Sequence, residues 1–527
     1  MEERDKTRNR THIKGGYAMI RKVKTENGWV KGLPAADPRI TSYKGIPFAA
    51  QPVGENRWRA PQPCPDWEGE LEAYAFSPIP MQAPISADPK NLYDREWHVD
   101  KEIPMGEDCL TLNIWAPADG RKDMPVFVWY FGGGLQVGYS AEMEFDGERI
   151  ARRGIVVVTV NYRVNVFGFL CHPEITKESP DAPGNFGFLD QQAATRWVKR
   201  NIAAFGGDPN NITIGGQSAG GMSVSAQITC PENKGLIQRA IIQSGAFAPP
   251  YPFEFGLCSD LKTAEETGKA FFDFLEVKSL AEARKIDAVT LRDKCLEWGN
   301  LHGRGLIFGE AVDGVFSHRN SQQWFLDENR LDIPVLLGHT GSEFFGFPPA
   351  KDEASLKELA KKHYPGSEET FLSFFSHPAT EESIKKEGAV NSIEFAVRAA
   401  AEHQKKAGQN LPLYYYQFEP EIPGWDNAGT FHSVDLWFFF ESLAKCWRPF
   451  KGKHYDLARQ MCDYWCNFIK TGDPNGTDSQ GETLPAWPAF DPENPIRMSF
   501  GDTAAAKFCP AGELKDFLVG KYLERME

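Results

Sequence analysis

Long apolar runs and basic clusters are both missing from this chain of 527 residues. The longest apolar runs, at 125–130 and 155–160, are far shorter than the roughly 20 residues that a membrane-spanning helix needs. Lys and Arg number 58 against 72 Asp and Glu, a formal net charge of −14, and no Lys/Arg run with interleaved aromatics offsets it. Because the apolar runs are too short, we expect no membrane span. Because an acidic surface repels phosphate backbones, we expect no nucleic-acid partner.

Cysteine motifs and an export signal are also missing. The ten cysteines show no paired C-x-x-C spacing of the kind that binds zinc. The first thirty residues are dense in charge and contain no apolar stretch of the roughly 7 to 15 residues that a signal peptide needs. We therefore expect reduced cysteines, no metal and a cytoplasmic location, with residues 1–20 as a flexible N-terminus.

Short β-branched runs alternate with amphipathic stretches along the chain. This alternation is typical of a mostly parallel sheet flanked by helices, so the sequence predicts an α/β fold. We predict one catalytic domain over residues 1–527, in which helix-rich insertions at 249–330 and 345–407 shape a pocket at the carboxyl ends of the strands. The expected strands are 126–129, 155–160, 212–214, 240–243, 334–337 and 413–418, and the clearest expected helices are 190–201, 262–275 and 455–470.

A candidate nucleophile lies in the Gly-x-Ser-x-Gly segment centred on Ser218. Such a motif arises by chance roughly 0.2 times in a chain of this length, so the motif alone is weak. Here an expected strand precedes it and helix-compatible residues follow it, which is the setting of a nucleophile elbow. A glycine-rich turn with an incidental serine is the alternative.

A second glycine cluster, Gly132-Gly-Gly134, follows the expected strand 126–129. Consecutive glycines allow backbone N–H groups to converge on one point, as the oxyanion of an acyl transfer requires. The candidate donors are the amides of Gly133, Gly134 and Ala219, and the helix beginning at Ala219 adds its positive dipole end. Alone, the cluster is equally compatible with a flexible loop.

At this point the chain resembles the type-B carboxylesterase family, the esterases and lipases related to cholinesterases. Segment 205–220 (FGGDPNNITIGGQSAG) is similar to the active-serine signature of that family, and segment 107–117 (EDCLTLNIWAP) is similar to its second signature. Shorter similarities occur at 43–49, 161–163, 184–191, 312–314 and 487–490. The resemblance implies a single α/β-hydrolase domain built on a large twisted sheet, with no cofactor.

The resemblance also supplies two partners for the serine. The acid of the family follows a later strand, and Glu343 occupies that place; spacing alone does not choose it over Glu310 or Asp313. The family base precedes an acidic residue and an aromatic helix, and His432 matches it in the segment FHSVDLWFFF. Ser218, Glu343 and His432 then follow in the chain order of α/β-hydrolases.

The activity implied is hydrolysis of carboxylic esters through an acyl-enzyme intermediate. We expect a small-molecule substrate, namely a small to medium, uncharged or apolar ester, and a monomer or homodimer. A lipase, thioesterase or amidase would use the same three residues, because pocket contacts rather than the shared chemistry decide the acyl donor. A non-catalytic adhesion protein on the hydrolase fold is the alternative from another class.

Three further details follow from the resemblance. Arg163 is expected to pair with Asp190. The aromatic residues that follow Glu343 and His432 are expected to pack in the core, with one or two lining an apolar pocket. Phe131 and Leu135 flank the glycine triplet where many relatives carry His or Tyr before it and Phe after it, so the pocket near the carbonyl departs from the usual form.

Overall fold

The protein is described here by a computed structural model that covers residues 19–97, 100–252, 258–302, 308–327 and 329–526. The expected flexible N-terminus, 1–20, lies outside these ranges except for its last two residues. Of these, Ile20 donates its backbone N–H to Ala118 O at 2.9 Å, which ties the start of the described chain to the main sheet region.

An eleven-stranded sheet forms the centre of the molecule. In chain order its strands are β1 (Leu33–Pro34), β2 (Ile40–Pro47), β3 (Thr111–Pro117), β4 (Met124–Tyr130), β5 (Val156–Val160), β6 (Gly207–Gln217), β7 (Arg239–Gln243), β8 (Val335–Thr340), β9 (Leu413–Phe418), β10 (Ile496–Phe500) and β11 (Ala504–Phe508). Across the sheet they follow the order 1-2-3-5-4-6-7-8-9-10-11. The single exchange of β4 and β5 is the only departure from sequence order within this sheet.

Six of the ten strand pairs in this sheet are parallel, and the four antiparallel pairs lie towards its two edges. The parallel strands are buried along most of their length and rich in Val and Ile, because helices cover both faces. All six expected strands are confirmed, with ends that differ by a few residues. The antiparallel strands β1, β2, β3 and β11 were not among the expected ones.

Eight helices of ten or more residues occur in the described part of the chain. They are α1 (Phe186–Asn201), α2 (Ala219–Ile228), α3 (Leu261–Phe274), α4 (Ala288–Leu301), α5 (Glu353–His363), α6 (Ser392–Lys406), α7 (Gly452–Thr471) and α8 (Glu513–Met526). Shorter α-helices span Leu92–Trp97, Glu148–Ala151, Asn165–Phe169, Pro173–Glu178, Leu280–Ala283, Glu368–Leu372, Glu381–Glu387 and Leu436–Phe439. The three helices expected from amphipathic patterns correspond to α1, α3 and α7. No described helix combines the length and apolar character needed to cross a bilayer.

Smaller sheets and 3₁₀ turns complete the fold. The strands Lys22–Thr25, Gly28–Lys31 and Glu70–Glu72 form one sheet, and three strand pairs join Ile79–Pro80 to Met105–Gly106, Cys258–Asp260 to Glu310–Val312, and Phe345–Gly346 to Val390–Asn391. The 3₁₀ turns are Gly54–Asn56, Met143–Phe145, Ile202–Phe205, Pro231–Asn233, Ser321–Leu326 and Leu443–Lys445. Helices α3 and α4 fall within the range 249–330, and α5 and α6 within 345–407, on either side of β8.

The ion pair expected between Arg163 and Asp190 is present and buried. Arg163 Nε and Nη2 donate to the two carboxylate oxygens of Asp190 at 2.8 and 2.7 Å, and Arg163 N donates to Oδ2 at 3.0 Å. The side chains are 4% and 0% exposed. Three N–H donors on one carboxylate fix the loop after β5 against helix α1. Because water does not reach the two buried charges, each charge relies on the other for its stabilisation.

We expect Asp190→Ala to destabilise the fold by about 3 to 5 kcal/mol, because it leaves the Arg163 guanidinium buried without a counter-charge. The urea midpoint measures this loss. Glu26→Ala is the matched control, since it removes the partner of Arg200 in an exposed pair that contributes about 1 kcal/mol or less. Equal midpoints for the two variants would contradict the role of the buried pair.

Candidate active site

Ser218 lies at the sharp turn between β6, which ends at Gln217, and α2, which begins at Ala219. Its backbone dihedrals are φ 56° and ψ −126°, a region that residues with a side chain rarely adopt. The Ser218 N–H donates to Gln243 O at 2.8 Å, which anchors the turn to β7. The strand, strained serine and helix expected from the motif are therefore present.

Glycine at position 220 is required by close packing behind the serine. A Cβ atom there would lie 2.1 Å from the carbonyl oxygen of Tyr130 at the end of β4. Helix α2 is buried at every position, and its small residues allow it to approach β6 and β7 closely. The backbone of α2 thus presses directly against the sheet, which holds the serine turn in place.

The loop that follows β4 packs against the same turn. A Cβ at Gly132 would lie 3.2 Å from Ser218 Cβ, so the glycine triplet passes beside the serine side chain. Gly133 has a φ of 104°, and its carbonyl accepts the amides of Gln136 and Val137 at 3.0 and 3.1 Å. These two hydrogen bonds hold the Gly133 carbonyl inside the tight turn formed by residues 133–137.

The three candidate oxyanion amides are those of Gly133, Gly134 and Ala219. Within the described residues none of them donates a hydrogen bond to a protein acceptor. Ala219 N is free because it is the first residue of α2, whose opening amides have no intrahelical partner. The structure places these amides on the two segments that meet beside Ser218.

Glu343 and His432 are hydrogen-bonded to each other through Oε2 and Nδ1. Glu343 follows the end of β8, and His432 lies in the loop between β9 and the short helix Leu436–Phe439. The carboxylate is 3% exposed and the imidazole 19% exposed. The imidazole is therefore partly accessible, whereas its acidic partner is enclosed.

The second oxygen of Glu343 is also satisfied. Oε1 accepts the backbone N–H of Thr340 at 2.7 Å and the hydroxyl of Ser244 at 2.5 Å. Burial raises the pKa of Glu343, but hydrogen bonding and charge from His432, together with Ser244, outweigh it and hold the pKa below its ordinary value. The group therefore stays a carboxylate at neutral pH and faces the imidazole as a negative charge.

Gln217, the residue before the serine, contacts the imidazole directly. Its Nε2 lies 3.2 Å from Nε2 of His432 and 3.5 Å from Nδ1. No hydrogen bond between Ser218 Oγ and His432 is present in the described structure. Since Nδ1 is committed to Glu343, the ring offers the lone pair of Nε2. The Gln217 amide nitrogen is nearly equidistant from the two ring nitrogens, so it lies well away from the in-plane direction of that lone pair and does not occupy it.

A second buried acid lies beside this group. Asp435 is fully buried, and its Oδ2 accepts the hydroxyl of Tyr416 at 2.8 Å and the amide of Gln243 at 3.2 Å. Burial, reinforced by the charge of Glu343, raises the pKa of Asp435 to about 6. Sequence reasoning noted an acidic residue after His432 but gave it no role, and it missed Gln217 and Ser244 entirely.

The competing acids are occupied elsewhere. Glu310 is buried and accepts hydrogen bonds from Ser317 and Ser321. Asp313 accepts the backbone amides of 315–317 in a turn, and Asn185 donates to its other oxygen. Both carboxylates stabilise local backbone, and neither is hydrogen-bonded to His432. Within the described ranges, no group of three or more His, Cys, Asp or Glu side chains is arranged to hold a metal ion.

Aromatic rings connect the imidazole to a large cavity. Phe344 lies edge to face with His432, with ring centroids 4.8 Å apart, and with Phe247 at 4.6 Å. Both phenylalanines line a cavity of about 690 Å³, together with Phe345 and Phe347. Residues 437–440, in contrast, are fully buried in the core. Core packing is thus confirmed for residues 437–440, whereas all three phenylalanines that follow Glu343 line the cavity, more than the one or two that were expected.

Residues 20–514 match the carboxylesterase family. The chain is 32% identical to para-nitrobenzyl esterase of Bacillus subtilis over 89% of this chain and 93% of that protein. It is also 35% identical to human bile salt-activated lipase, over an alignment that covers 90% of this chain and 66% of the human protein.

The crystal structure of a Geobacillus stearothermophilus carboxylesterase is similar in fold. The TM-score is 0.72 at 31% identity, with 94% of this chain and 99% of that one covered. Family, relatives and fold agree with the serine turn and the Glu–His pair described above. The chain therefore belongs to the carboxylesterase family and is a hydrolase of carboxylic esters.

Proposed function

We propose that Ser218 is the nucleophile, His432 the general base and Glu343 the acid that orients it. The observation that carries this assignment is the His432–Glu343 hydrogen bond, formed beside a serine held in a strained strand-to-helix turn. A serine hydroxyl is a weak nucleophile at neutral pH, so it needs a base within reach, and imidazole titrates in the useful range.

In acylation, Ser218 Oγ attacks the ester carbonyl carbon while His432 Nε2 takes the hydroxyl proton. Glu343 accepts the Nδ1–H throughout, which fixes the tautomer and stabilises the imidazolium. The imidazolium then protonates the departing alcohol, leaving an acyl-enzyme. In deacylation, the oxygen of a water molecule attacks the acyl carbon while His432 Nε2 removes a water proton. The bond from that carbon to Ser218 Oγ then breaks, the imidazolium returns the proton to Oγ, and the acid product leaves.

The amides of Gly133, Gly134 and Ala219 receive the negative oxygen of each tetrahedral intermediate. None of the three donates to an acceptor among the described residues, so no hydrogen bond to those residues has to break before the amides act. Each such donor can lower the barrier by about 3 kcal/mol, since it is aimed at charge that the ground state does not carry. The positive end of the α2 dipole acts on the same oxygen.

Gln217 lies against the imidazole that must accept the Ser218 proton, with its Nε2 at 3.2 and 3.5 Å from the two ring nitrogens. Because these distances are nearly equal, the amide lies away from the lone pair of His432 Nε2 and leaves it to the serine hydroxyl. Catalytic hydrogen bonds are often long or poorly aligned before substrate binds, and they tighten in the reacting complex.

The preferred substrates are uncharged or apolar esters of small to medium size. The 690 Å³ cavity beside Phe344 takes eight of its 18 lining residues from phenylalanine and proline and lies within the usual size range of ligand pockets. Phe345 and Phe347 are 46% and 45% exposed and offer apolar surface to an acyl or alcohol group. Thioesters, amides and lipids are cleaved by the same nucleophile, base and acid. Measuring kcat/KM for each class of acyl donor separates these activities.

We also propose a cytoplasmic location. All ten cysteines are free thiols, six of them buried and four half-buried. Such a set of unpaired thiols suits a reducing compartment better than an oxidising one.

Replacing the nucleophile tests the assignment directly. Ser218→Ala should lower kcat for p-nitrophenyl butyrate by up to about a millionfold, because nucleophile, base and acid act as one unit. Ser342→Ala, at an exposed serine next to Glu343, is the control and should stay close to the parent rate. Turnover retained by Ser218→Ala would refute the role of Ser218.

The contact between Gln217 and the imidazole predicts a specific pH effect. Gln217→Glu places a negative charge beside His432, which favours the protonated ring, so the acid limb of kcat/KM should move to higher pH by about one unit. Gln217→Met keeps the volume without the charge and should leave the limb in place. Glu343 is not the source of this limb, because its pKa lies below the ordinary value. An unchanged limb in Gln217→Glu would show that residue 217 does not face the base.

The apolar cavity predicts a dependence on acyl length. kcat/KM for p-nitrophenyl esters should rise from acetate to octanoate, and Phe345→Ser should reduce the octanoate-to-acetate ratio about tenfold, as expected for losing one apolar side chain from the contact. Phe508→Ser makes the same exchange at an exposed phenylalanine on the edge strand β11 and is the control. Equal ratios in the two variants would place the acyl group elsewhere.

A further inference from the structure

A buried carboxylate on the short helix Leu92–Trp97 binds several donors from one later segment of the chain. This carboxylate belongs to Glu96, which is 1% exposed. It receives hydrogen bonds at 3.0 to 3.2 Å from four side chains, those of Trp437, Cys446, Trp447 and Arg448. All four donors lie within residues 437–448, which follow His432. The carboxylate therefore fixes this segment to a helix that lies 341 residues before Trp437 in the chain.

Arg448 connects this carboxylate to the loop that precedes His432. Its guanidinium is fully buried and binds Glu96 through Nε and Asp426 through Nη1 and Nη2, with each distance 3.0 Å. Hydrogen bonding from Arg448 is the main reason that the pKa of Asp426 is lowered to about 2. Asp426 also accepts Arg95 Nη2 at 2.6 Å. These four charges form one network that joins the loop before His432 to the short helix.

Aromatic rings extend the network to both sides of His432. The Arg448 guanidinium lies over the ring of Phe431 at 5.0 Å, and Trp97 packs against the same ring with centroids 6.0 Å apart. On the other side of the histidine, Trp97 stacks on Trp437, the indole that donates to the buried carboxylate. The residue before the histidine and the short helix after it are therefore held by the same group of contacts.

The backbone beside the imidazole is strained and depends on such contacts. Ser433, the residue after His432, has a φ of 78°, a region that residues with a side chain rarely adopt. A conformation of this kind persists only where the surrounding structure holds it. The contacts on Phe431 and Trp437 therefore help to decide where the imidazole lies.

We propose that Glu96 is a positioning residue for His432. It holds the segments on either side of the imidazole, so that the ring can pass a proton from the serine hydroxyl to the leaving alcohol. This inference rests on the proposed role of His432 as base and acid. A displacement of about 1 Å in a catalytic group can lower a rate by about a hundredfold, so loosening of these segments has a measurable cost.

The leaving group of the ester separates this role from a purely structural one. Ethanol needs a proton from the His432 imidazolium as it departs, whereas p-nitrophenolate departs without one. A misplaced imidazole therefore slows an ethyl ester more than a p-nitrophenyl ester, whereas a smaller folded fraction lowers both rates equally. The measurement is the ratio of kcat/KM for ethyl butyrate to kcat/KM for p-nitrophenyl butyrate, made on the full-length protein.

Glu96→Gln keeps the shape of the side chain and removes its charge. We expect the ratio to fall about tenfold or more in this variant, because the imidazole is no longer held in line with the leaving group. Glu310→Gln is the matched control, since Glu310 is a buried acid whose hydrogen bonds come from Ser317 and Ser321 rather than from the segments around His432. The control should keep the parent ratio even if it is less stable.

Phe431→Leu replaces Glu96→Gln if the latter does not fold. It keeps an apolar side chain but removes the ring that Arg448 contacts, so the ratio should again fall. A ratio equal to that of Glu310→Gln in the folded variant overturns the proposal. Turnover retained by Ser218→Ala would instead refute the catalytic assignment, so the two failures are distinguishable.

Discussion

The strained turn at Ser218 is the constraint on which the site depends. A side-chain-bearing residue at φ 56° costs on the order of 1 to 3 kcal/mol, and the surrounding packing has to hold it there. The Ser218 N–H bond to β7 and the contact of α2 with the end of β4 supply that hold. Because the amides proposed to bind the oxyanion lie next to this turn, any relaxation of the turn would misplace the proposed nucleophile and these amides together.

Two buried acids lie at the site, and their pKa values are shifted in opposite directions: that of Glu343 is lowered and that of Asp435 is raised. Glu343 receives three hydrogen bonds over its two oxygens, so it keeps its charge despite being enclosed. Asp435 receives two bonds on one oxygen, and its other oxygen has no partner. Hydrogen bonds and the charge of His432 outweigh burial at Glu343 and lower its pKa, whereas at Asp435 burial and the charge of Glu343 outweigh the hydrogen bonds and raise the pKa to about 6.

Local patterns in the sequence were sufficient for the central strands and for the serine turn, since both depend on neighbours in the chain. Glu343 and His432 required the family resemblance, because nothing local distinguishes them from other acids and histidines. The contact of Gln217 with the imidazole depends on a loop 215 residues away, and no periodicity encodes it.

The free thiols influence how the protein is inactivated irreversibly. Six of the ten are enclosed in the folded chain, so they are protected from oxidants as long as the core stays closed. Heat or denaturant would expose all ten at once, and in air they would cross-link into scrambled disulfides that prevent refolding. The lifetime of the enzyme outside a reducing medium is then governed by how fast it unfolds, not by its equilibrium stability.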